Sequence, residues 1–374
     1  MKKNRILVIA SSQHFVDIFL LDFLHTISKK NKVHIITNFE DKYKYNDLIK
    51  RHHISINRKI SPFSDLYCSI SIFSKIIKIK PNLIITATPK SIIFGIFLKF
   101  ILWKLKRIHI YTGFTWTNMT SLKKIFFSTL DKINIYCSDR LLVDSQNQIN
   151  FLKSNRFNIS KFYLIGNGSI KGVDLNIFHK YDKEKKMKLR KHYKIPENFK
   201  IILYLGRMDL DKGLDILIHS FRNLIRSNSK ILLLLVGRDE MNIHQYLNKN
   251  FRDISEFIRL IQHNDRPQDM YNLSDIFCIP SRREGFGNVV IESSSCSIPV
   301  IGSDIQGLSS SLINNFNGLT FKVDDIDDLT SKIQTLINDE NLCHRLGFNG
   351  RKFVKENFNK KVVYQSLEKL ISIN

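Results

Sequence analysis

The stretch Ile201-Ile-Leu-Tyr-Leu-Gly-Arg-Met-Asp-Leu-Asp-Lys-Gly213 decides the fold of this chain. Its first five residues form an uninterrupted apolar run, which is typical of a buried strand in a parallel sheet. Gly206 permits a tight turn after that strand. Arg207 and Lys212 then project from a predicted strand-to-helix loop at the carboxyl edge of the sheet. Because arginine offers paired planar donors and lysine a compact charge, this loop suits a diphosphate.

The alternation of strand and helix continues along the chain in both directions. Phe15 to Ser28 and Leu66 to Ile79 have apolar residues at helical spacing. Short apolar strands are predicted at residues 5–10, 32–37, 81–86, 108–112, 140–144, 201–205, 231–236, 258–261, 276–279 and 300–301. This pattern indicates parallel sheets with helices on both faces. The polar stretch 180–199 separates two such series, so we expect two doubly wound domains with a ligand cleft at the carboxyl ends of their strands.

A second segment, Ser-Arg-Arg-Glu-Gly-Phe-Gly-Asn-Val-Val-Ile-Glu, runs from Ser281 to Glu292. It puts Glu284 on a glycine-rich loop and Glu292 about one turn inside the following helix. The N-terminus of that helix offers free N–H groups to a phosphate, and the carboxylates suit sugar hydroxyls. The segment therefore predicts a nucleotide-sugar site. Two alternatives stay open: Glu284 pairs with Arg282 or Arg283, and Glu292 is a helix-surface acid.

Length and composition limit the class of protein. With 374 residues and 43% hydrophobic residues, the chain is long enough for two domains with packed cores. The five cysteines are odd in number and show no CxxC spacing, which fits a reducing compartment rather than a disulfide framework or a zinc site. Lys99 and Lys104 interrupt the longest apolar stretch, residues 91–105, well short of the roughly 20 residues that span a bilayer. We expect a buried helix there and a cytoplasmic protein.

The formal net charge of +24 has three possible explanations. They are nucleic-acid binding, docking on an anionic membrane surface, and a composition rich in Lys, Ile, Asn and Phe. The basic residues are spread along the whole chain and no nucleic-acid motif accompanies them, so we expect no nucleic-acid partner. Composition and membrane docking both stay open. The candidate docking residues in the first domain are Lys99, Lys104, Lys106, Arg107, Lys123 and Lys124.

Together the two segments resemble the retaining glycosyltransferases of the GT-B fold, family 4, and more narrowly the bacterial capsular-polysaccharide and lipopolysaccharide members. Residues 166–178 are similar to the family's interdomain GSxxGVD segment, and Thr88-Pro89-Lys90 to its TPK segment. The resemblance covers nearly the whole chain. It implies an α/β protein with two Rossmann-like domains and an active site in the cleft between them. These are an acceptor-binding domain at 1–178, a nucleotide-sugar-binding domain at 179–350, and a C-terminal helix at 351–374 that packs back toward the first domain.

The resemblance also implies roles for single residues. Arg207 and Lys212 would bind the donor diphosphate and stabilise it as it leaves. Glu284 would contact the donor sugar near its reacting face, and Glu292 would hold the ribose. The implied catalytic residues are thus Glu284, Arg207 and Lys212. The implied nucleotide-sugar-binding set is Gly206, Arg207, Lys212, Glu284, Gly285, Phe286, Gly287, Asn288, Val289 and Glu292.

No metal and no cofactor besides the donor is expected. The Asp209-Leu-Asp211 pair could hold a divalent cation. It lies, however, between Arg207 and Lys212, whose charges already serve the phosphates. We therefore interpret it as part of the basic loop.

Two segments depart from the family pattern. The loop after the first strand, Ser11 to Phe15, contains no glycine, although Ser11 and Ser12 could line the acceptor side. The stretch 111–116 lacks the histidine that many members carry, and His109 is interpreted as structural. No general base is therefore evident. The resemblance implies a front-face reaction in which the leaving phosphate helps to deprotonate the acceptor.

The predicted function is that of a retaining glycosyltransferase. It would move a hexose or an N-acetylhexosamine from a UDP-sugar to a polyprenyl-diphosphate-linked glycan, in the synthesis of a capsule, an O-antigen or a related surface glycan. The protein would be peripheral on the cytoplasmic face of the inner membrane. The alternatives are a UDP-sugar epimerase on the same fold and a non-catalytic nucleic-acid-binding protein. The Arg207/Lys212 pair and the eight-residue spacing of the two acids favour transfer.

Overall fold

A computed structural model describes residues 3–40, 45–57, 61–114, 116, 119, 121–226, 230–262 and 264–372. Thr115 and Ile373, which fall within segments considered above, lie outside the described residues. The chain forms two compact units. Unit 1 comprises Met1–Lys171 and Lys361–Asn374, and unit 2 comprises Gly172–Lys360. The first domain was predicted to end at residue 178, which is seven residues beyond Lys171, where the first segment of unit 1 ends.

Unit 1 is built on a seven-stranded parallel sheet of order β3-β2-β1-β4-β5-β6-β7. The strands are β1 (Arg5–Ile9), β2 (Lys32–Thr37), β3 (Ile49–His53), β4 (Leu83–Thr86), β5 (Lys106–Tyr111), β6 (Arg140–Val143) and β7 (Phe162–Leu164). The helices are α1 (Gln13–Phe15), a π-helical turn (Val16–Leu20), α2 (Leu21–Ser28), α3 (Pro62–Ile79), α4 (Pro89–Ile101), α5 (Ser121–Cys137) and α6 (Gln146–Ser154). Alternate residues of β1 face opposite sides, so Val8 packs with α2 whereas Leu7 packs with α3 and α4.

Unit 2 is built on a six-stranded parallel sheet of order β10-β9-β8-β11-β12-β13. The strands are β8 (Lys200–Leu205), β9 (Ile231–Val236), β10 (Ile258–Ile261), β11 (Ile276–Ile279), β12 (Val300–Ser303) and β13 (Gly318–Phe321). The helices are α7 (Lys183–His192), α8 (Leu214–Ile225), α9 (Ile243–Asn250), α10 (Pro267–Leu273), α11 (Asn288–Ser295), α12 (Ile326–Asn338) and α13 (Glu340–Asn357), with 3-10 turns at Leu210–Lys212 and Arg252–Phe257. Both units are thus Rossmann-like, which confirms the predicted α/β class.

The predicted single helix at the C-terminus is two helices. After α13 ends at Asn357, α14 (Lys360–Ile371) begins. Between the two helices the backbone bonds to Val173 instead of continuing the helical pattern. The N–H of Val173 donates to the carbonyl of Phe358 at 2.8 Å, and its carbonyl accepts from the N–H of Lys360 at 2.9 Å. The apolar residues of α14, including Leu367, pack in the core of unit 1.

Three strands that the sequence analysis did not predict all lie at sheet edges. They are β3, β7 and β13. In β3 only Ile49 is apolar, and four basic residues follow it. Edge strands contact the sheet on one side only and need no continuous apolar run, so their sequences carry a weak signal.

The long apolar stretch at 91–105 forms most of α4, which is partly buried as predicted. Its last residues depart from that expectation, since Phe100 and Trp103 are exposed. Within the described part of the chain, no helix is long and apolar enough to cross a membrane. The five cysteines are free thiols.

Candidate functional site

Two loops of unit 2 leave the carboxyl ends of neighbouring strands. Residues 206–213 follow β8 and residues 280–287 follow β11, and the two strands pair in parallel with Ile202 opposite Ile276. On its other side β8 pairs with β9. The chain therefore reverses its direction of winding between these two loops, and this switch point is where ligands bind in open parallel sheets.

The two loops bring Lys212 and Glu284 together, although they are 72 positions apart in sequence. The Nζ atom of Lys212 lies 2.6 Å from Oε1 of Glu284, and both side chains are partly buried. The hydroxyl of Ser281 donates to the same Oε1 atom at 2.8 Å. Glu284 is thus fixed by one cation and one hydroxyl, both bound to Oε1. The sequence analysis had not singled out Ser281, because nothing in its spacing distinguishes it from other loop serines.

The neighbouring arginines are held by other acids. Arg282 makes a bidentate pair with Asp215, at 2.9 Å for both bonds, and contacts Asp324 at 2.7 Å. The hydrogen bonds that Arg282 donates to Asp215 raise the pKa of its guanidinium above the usual value. Arg283 contacts Asp211 at 3.2 Å. The alternative in which Arg282 or Arg283 neutralises Glu284 is therefore wrong.

Arg207 lies on the same loop as Lys212 and is 53% exposed. Its Nη1 atom contacts Asp209 at 2.8 Å and Glu240 at 2.9 Å. Asp209 also accepts from the backbone N–H of Lys212 at 2.9 Å, so it caps the 3-10 turn and ties the loop together. Asp209 and Asp211 thus have different cation partners. No group of three or more His, Cys, Asp or Glu that could hold a metal occurs among the residues that the structure describes.

The glycine that the first loop requires is Gly213 rather than Gly206. Gly213 has φ +66°, and a Cβ atom there would lie 1.9 Å from the carbonyl oxygen of Pro280. At Gly206 a Cβ atom would only make ordinary contact with the Tyr204 hydroxyl, at 3.7 Å. The tight turn expected at Gly206 therefore does not depend on that glycine. The close approach comes instead from Gly237, whose Cβ would lie 1.9 Å from the carbonyl oxygen of Gly206.

The second loop leads into the N-terminus of α11 as predicted. Gly287 caps the helix with φ +77°, and Asn288 and Val289 form its first turn. The side chain of Phe286 is buried against Phe358, with ring centroids 5.3 Å apart, so only its backbone could reach a ligand. Gly307, which the analysis had not assigned, lets the loop approach closely, since a Cβ atom there would lie 2.0 Å from the carbonyl oxygen of Glu284.

Glu292 lies inside unit 2 rather than on a helix surface. Glu292 is 5% exposed, and the hydroxyl of Tyr271 donates to its Oε2 atom at 3.1 Å. The alternative of a helix-surface acid is therefore wrong. Burial, and then the nearby Glu292 charge, raise the pKa of Tyr271 well above its usual value, so the phenol keeps its proton. The contact depends on the packing of α10 against α11, which local sequence patterns do not reveal.

The segments of unit 1 that the sequence analysis singled out are mainly structural. Ser11 donates from its backbone and from its hydroxyl to Thr88, at 3.0 Å in both cases. Lys90 is buried in an ion pair with Asp65 at 2.6 Å. Buried His109 contacts the Thr86 hydroxyl through Nδ1 at 2.8 Å, and burial lowers its pKa well below the usual value, which keeps the ring neutral.

The basic residues proposed for membrane docking differ in their positions. Arg107 is 2% exposed and donates to Asn134, so it cannot face a membrane, and that assignment is wrong. Its side chain fills the space opposite Gly95, under α4 and α5. Lys99 contacts Asp139 at 3.3 Å. Lys104, Lys123 and Lys124 are exposed.

Known proteins resemble this chain in sequence. Residues 185–353 match the model of the family described as Glycosyl transferases group 1. The chain is 29% identical over 350 residues to the capsular polysaccharide biosynthesis glycosyltransferase CapM of Staphylococcus aureus, covering 92% of this chain and 90% of that protein.

Two solved structures show the same fold. Sucrose-phosphate synthase of Thermosynechococcus elongatus superposes with a TM-score of 0.84 at 20% identity, covering 98% of both chains. Anabaena HepE in complex with UDP superposes with a TM-score of 0.80 at 15% identity, covering 98% of this chain and 99% of that one. These proteins give no support to the epimerase alternative. The match over residues 185–353 and the similarity to glycosyltransferases along most of the sequence together identify the chain as a glycosyltransferase, and its fold is GT-B.

Proposed function

We propose that this glycosyltransferase is a retaining enzyme of family 4 that takes a hexose or an N-acetylhexosamine from a UDP-sugar. The acceptor is a polyprenyl-diphosphate-linked glycan in the synthesis of a capsule, an O-antigen or a related surface glycan. The observation that carries the proposal is the Lys212–Glu284 pair at the switch point of unit 2. The similarity to CapM supports the capsule assignment, and the fold shared with HepE in its UDP complex supports the donor class.

Lys212 and Arg207 are the groups that we assign to the donor diphosphate. A lysine ammonium has three N–H donors, and Glu284 takes one of those of Lys212. The ion pairs of Arg207 both end on Nη1, and the side chain is half exposed. Both cations thus retain donors for phosphate oxygens while their carboxylate partners hold them in position. The first-turn amides of α11, from Gly287 to Val289, add further donors at the positive end of the helix.

Glu284 is assigned to the donor sugar. Lys212 and Ser281 both bind Oε1, which leaves Oε2 as an acceptor for a sugar hydroxyl. Glu292 is assigned to the ribose, and Tyr271 orients its carboxylate. Gly206, Gly285 and Asn288 complete the binding set through their backbones, as does buried Phe286.

The transfer step requires no protein base. The bond between the anomeric carbon and the diphosphate oxygen breaks, and the acceptor hydroxyl forms its bond on the same face. The proton of that hydroxyl passes to the leaving phosphate oxygen, whose negative charge Lys212 and Arg207 stabilise. Because these two cations supply the neutralisation, we propose a reaction without a metal ion or another cofactor. The neutral, buried state of His109 agrees with this assignment, since its ring is bonded to Thr86.

The acceptor lipid places the reaction at a membrane. We propose that the protein is cytoplasmic and binds peripherally to the anionic inner leaflet, and that nucleic acid is not a partner.

The test uses paired substitutions in two ion pairs of unit 2. Lys212→Ala and Glu284→Gln disrupt the site, and Lys188→Ala and Glu184→Gln disrupt an exposed pair on α7 that is also close, at 2.5 Å. A panel of UDP- and GDP-sugars is first screened for thermal stabilisation of the wild type, since a true donor raises stability by mass action. Transfer from the stabilising donor to a lipid-linked acceptor is then measured.

We expect each site variant to lower the rate of transfer by about 100-fold or more, as the loss of a group that stabilises developing charge does. The α7 variants should match the wild type. Near-normal turnover in Lys212→Ala or Glu284→Gln contradicts the site assignment, and stabilisation by GDP-sugars alone contradicts the UDP assignment.

A further inference from the structure

One face of unit 1 carries most of the large apolar side chains that are exposed in the described part of the chain. Of the 22 large apolar side chains that are exposed in the described part of the chain, 13 belong to α3, α5 and the segment from the end of α4 to Trp103. We call this surface the α3–α5 face. Unit 2, by contrast, has five. A soluble protein rarely exposes a large contiguous apolar patch unless the patch binds something.

The apolar residues of α3 form a stripe along the outside of the helix. They lie at positions i, i+3, i+4, i+7 and i+14, which share one side of a helix. These residues are Phe63, Leu66, Tyr67, Ile70 and Ile77, and Phe63 is 90% exposed. The opposite side of α3 already fills the core with Ile72 and Ile76. The side chains of the outer stripe are 52–90% exposed and belong to no core cluster of unit 1.

Helix α5 repeats this arrangement. Its exposed apolar residues are Leu122, Ile125, Phe126, Ile133 and Tyr136, again along one side. Its inner side carries Asp131 and Asn134, which bond to Tyr111. Since α4 packs between α3 and α5, the two stripes belong to the same surface of unit 1.

An open groove lies at one end of this face. It has a volume of about 620 Å³ and is lined by Ile77 of α3 and by Ile101 and Trp103, with Lys80 and Lys104 beside them. The Lys104 ammonium lies 5.1 Å from the centre of the Trp103 ring. An exposed tryptophan next to lysines is typical of a surface at the boundary of water and lipid, where the ring lies among headgroups and the lysines reach phosphates.

The charges of this face are mostly positive. The sequence from 61 to 137 contains 11 basic residues and two acidic ones, Asp65 and Asp131, and both acids are buried. Asp139, which follows α5, is exposed and pairs with Lys99 at 3.3 Å. Its exposed lysines are Lys78, Lys80, Lys104, Lys123, Lys124 and Lys132.

We propose that the α3–α5 face docks on the surface of an anionic phospholipid bilayer, with the outer stripe of α3 inserted at the headgroup level. An apolar stripe and a set of lysines are the two signals that together give stable peripheral binding. A second copy of the chain is a poor occupant, because a symmetric interface would bring mostly lysines against lysines. The inference rests on the proposed function, of which the membrane partner is a part.

The experiment measures co-sedimentation of the full-length protein with two kinds of vesicles. One kind contains equal parts of phosphatidylcholine and phosphatidylglycerol, and the other contains phosphatidylcholine alone. The apolar variant is Phe63→Ser/Tyr67→Ser/Ile70→Ser, and the charge variant is Lys104→Glu/Lys123→Glu/Lys124→Glu. The matched controls on unit 2 are Phe348→Ser and Lys183→Glu/Lys191→Glu/Lys249→Glu, which change exposed residues of the same kinds.

We expect the wild type and both controls to bind the anionic vesicles more tightly than the neutral ones. The charge variant should bind them about 100-fold more weakly, since each lysine at an anionic surface contributes a factor of about five. The apolar variant should lose about tenfold or more. Thermal stabilisation by UDP should be unchanged in both variants, because UDP probes the loops of unit 2.

Two results would overturn the inference. One is unchanged vesicle binding in both face variants. The other is a dimer of the wild type in solution that the apolar variant abolishes while vesicle binding persists, which would assign the face to self-association. The proposed function fails differently: UDP would not stabilise the wild type, while vesicle binding would still depend on the α3–α5 face.

Discussion

The loops after β8 and β11 and the α3–α5 face carry their positive charge in opposite ways. In the loops each cation has a carboxylate partner within 3.2 Å: Lys212 has Glu284, Arg207 has Asp209 and Glu240, Arg282 has Asp215 and Asp324, and Arg283 has Asp211. The α3–α5 face has exposed lysines, and both acids of its sequence are buried. The net charge of +24 is therefore not concentrated at these loops.

This difference separates two uses of charge. A paired cation has a fixed position and exerts a weak field at a distance, which suits the stabilisation of charge at one atom of a substrate. Lysines without a carboxylate partner on a surface add their fields within a Debye length, about 8 Å at physiological salt, which suits attraction to an extended anionic partner close to that surface. The same excess of lysine in the composition thus supports precise contacts in one region and a broad field in the other.

The largest expected effect comes from breaking the geometry of the paired loops. Gly213→Ala places a Cβ atom 1.9 Å from the Pro280 carbonyl oxygen at a residue with φ +66°. We expect a loss of at least about 4 kcal/mol in the free energy of unfolding, because both the backbone conformation and the contact oppose a side chain. Chemical denaturation followed by circular dichroism measures this loss.

Gly206→Ala is the matched control in the same loop. Its Cβ atom would lie 3.7 Å from the Tyr204 hydroxyl, an ordinary contact. We expect a change of less than about 1 kcal/mol. Equal losses in the two variants would show that the loop is not anchored on Pro280, and the fixed positions of its cations would then lose their explanation.

Whether the sequence predicts a feature of these regions depends on how far apart in the chain the interacting residues lie. The apolar run Ile231–Val236 of a central strand was located to the residue because it is buried on both faces, and the other predicted strands were located to within two residues at each end. The glycine loops after β8 and β11 were likewise predicted, since parallel order alone brings strand ends to one edge. The partners of Arg282 and Glu292 were not predicted. Asp215 and Tyr271 reach them through tertiary packing over 67 and 21 positions, respectively, and no local pattern encodes such a contact.

The α3–α5 face illustrates the same limit. The apolar residues of α3 were counted as evidence for a helix, but the sequence did not show that two sides of that helix are apolar and only one is buried. Arg107 shows the opposite error, because it was predicted to be exposed and is buried. Nothing local indicates that Gly95 of the neighbouring helix opens a space for its side chain.

The second prediction concerns Asp131, a buried carboxylate whose described partners are neutral side chains, unlike the ion-paired carboxylates of the loops after β8 and β11. Asp131, beneath the α3–α5 face, accepts from the Tyr111 hydroxyl at 3.0 Å and the Trp116 ring at 2.7 Å. Burial raises its pKa from 3.8 to about 6. A raised carboxyl pKa means that the folded state holds the proton more tightly than the unfolded state. Asp131 therefore favours folding below about pH 4, and this contribution is lost as the pH rises through about 6.

The Asp131→Asn variant should remove this pH dependence. Between pH 4 and pH 6 the stability difference between wild type and variant should change by roughly 2 kcal/mol, in the direction of relative loss for the wild type as the pH rises. Glu184→Asn, at an exposed acid of α7, is the control and should follow the wild type. Parallel pH profiles for Asp131→Asn and the wild type would show that Asp131 titrates normally and is not a buried acid without a cation.

The third prediction concerns the buried acid of the site region. Tyr271→Phe removes the hydroxyl that donates to Glu292 at 3.1 Å and keeps the ring. We expect a loss of about 1–3 kcal/mol in the free energy of unfolding, because a buried carboxylate oxygen loses a donor. Tyr163→Phe, at an exposed tyrosine of β7, should cost almost nothing. If the donor UDP-sugar binds normally to Tyr271→Phe, the ribose assignment of Glu292 does not depend on this bond.

The smallest expected effect tests whether pairing itself stabilises the loops. Arg282 and Asp215 join the loop after β11 to the start of α8, with side chains 30% and 21% exposed, whereas Lys188 and Glu184 of α7 are 75% and 76% exposed. A double-mutant cycle with Arg282→Met and Asp215→Asn should give a coupling energy of about 1 kcal/mol, since the pair is bidentate and partly screened. The α7 cycle should give about 0.3–0.5 kcal/mol. Equal coupling energies would mean that the acids of the loops neutralise the cations but do not hold them in position. The loops and the α3–α5 face would then differ only in net charge.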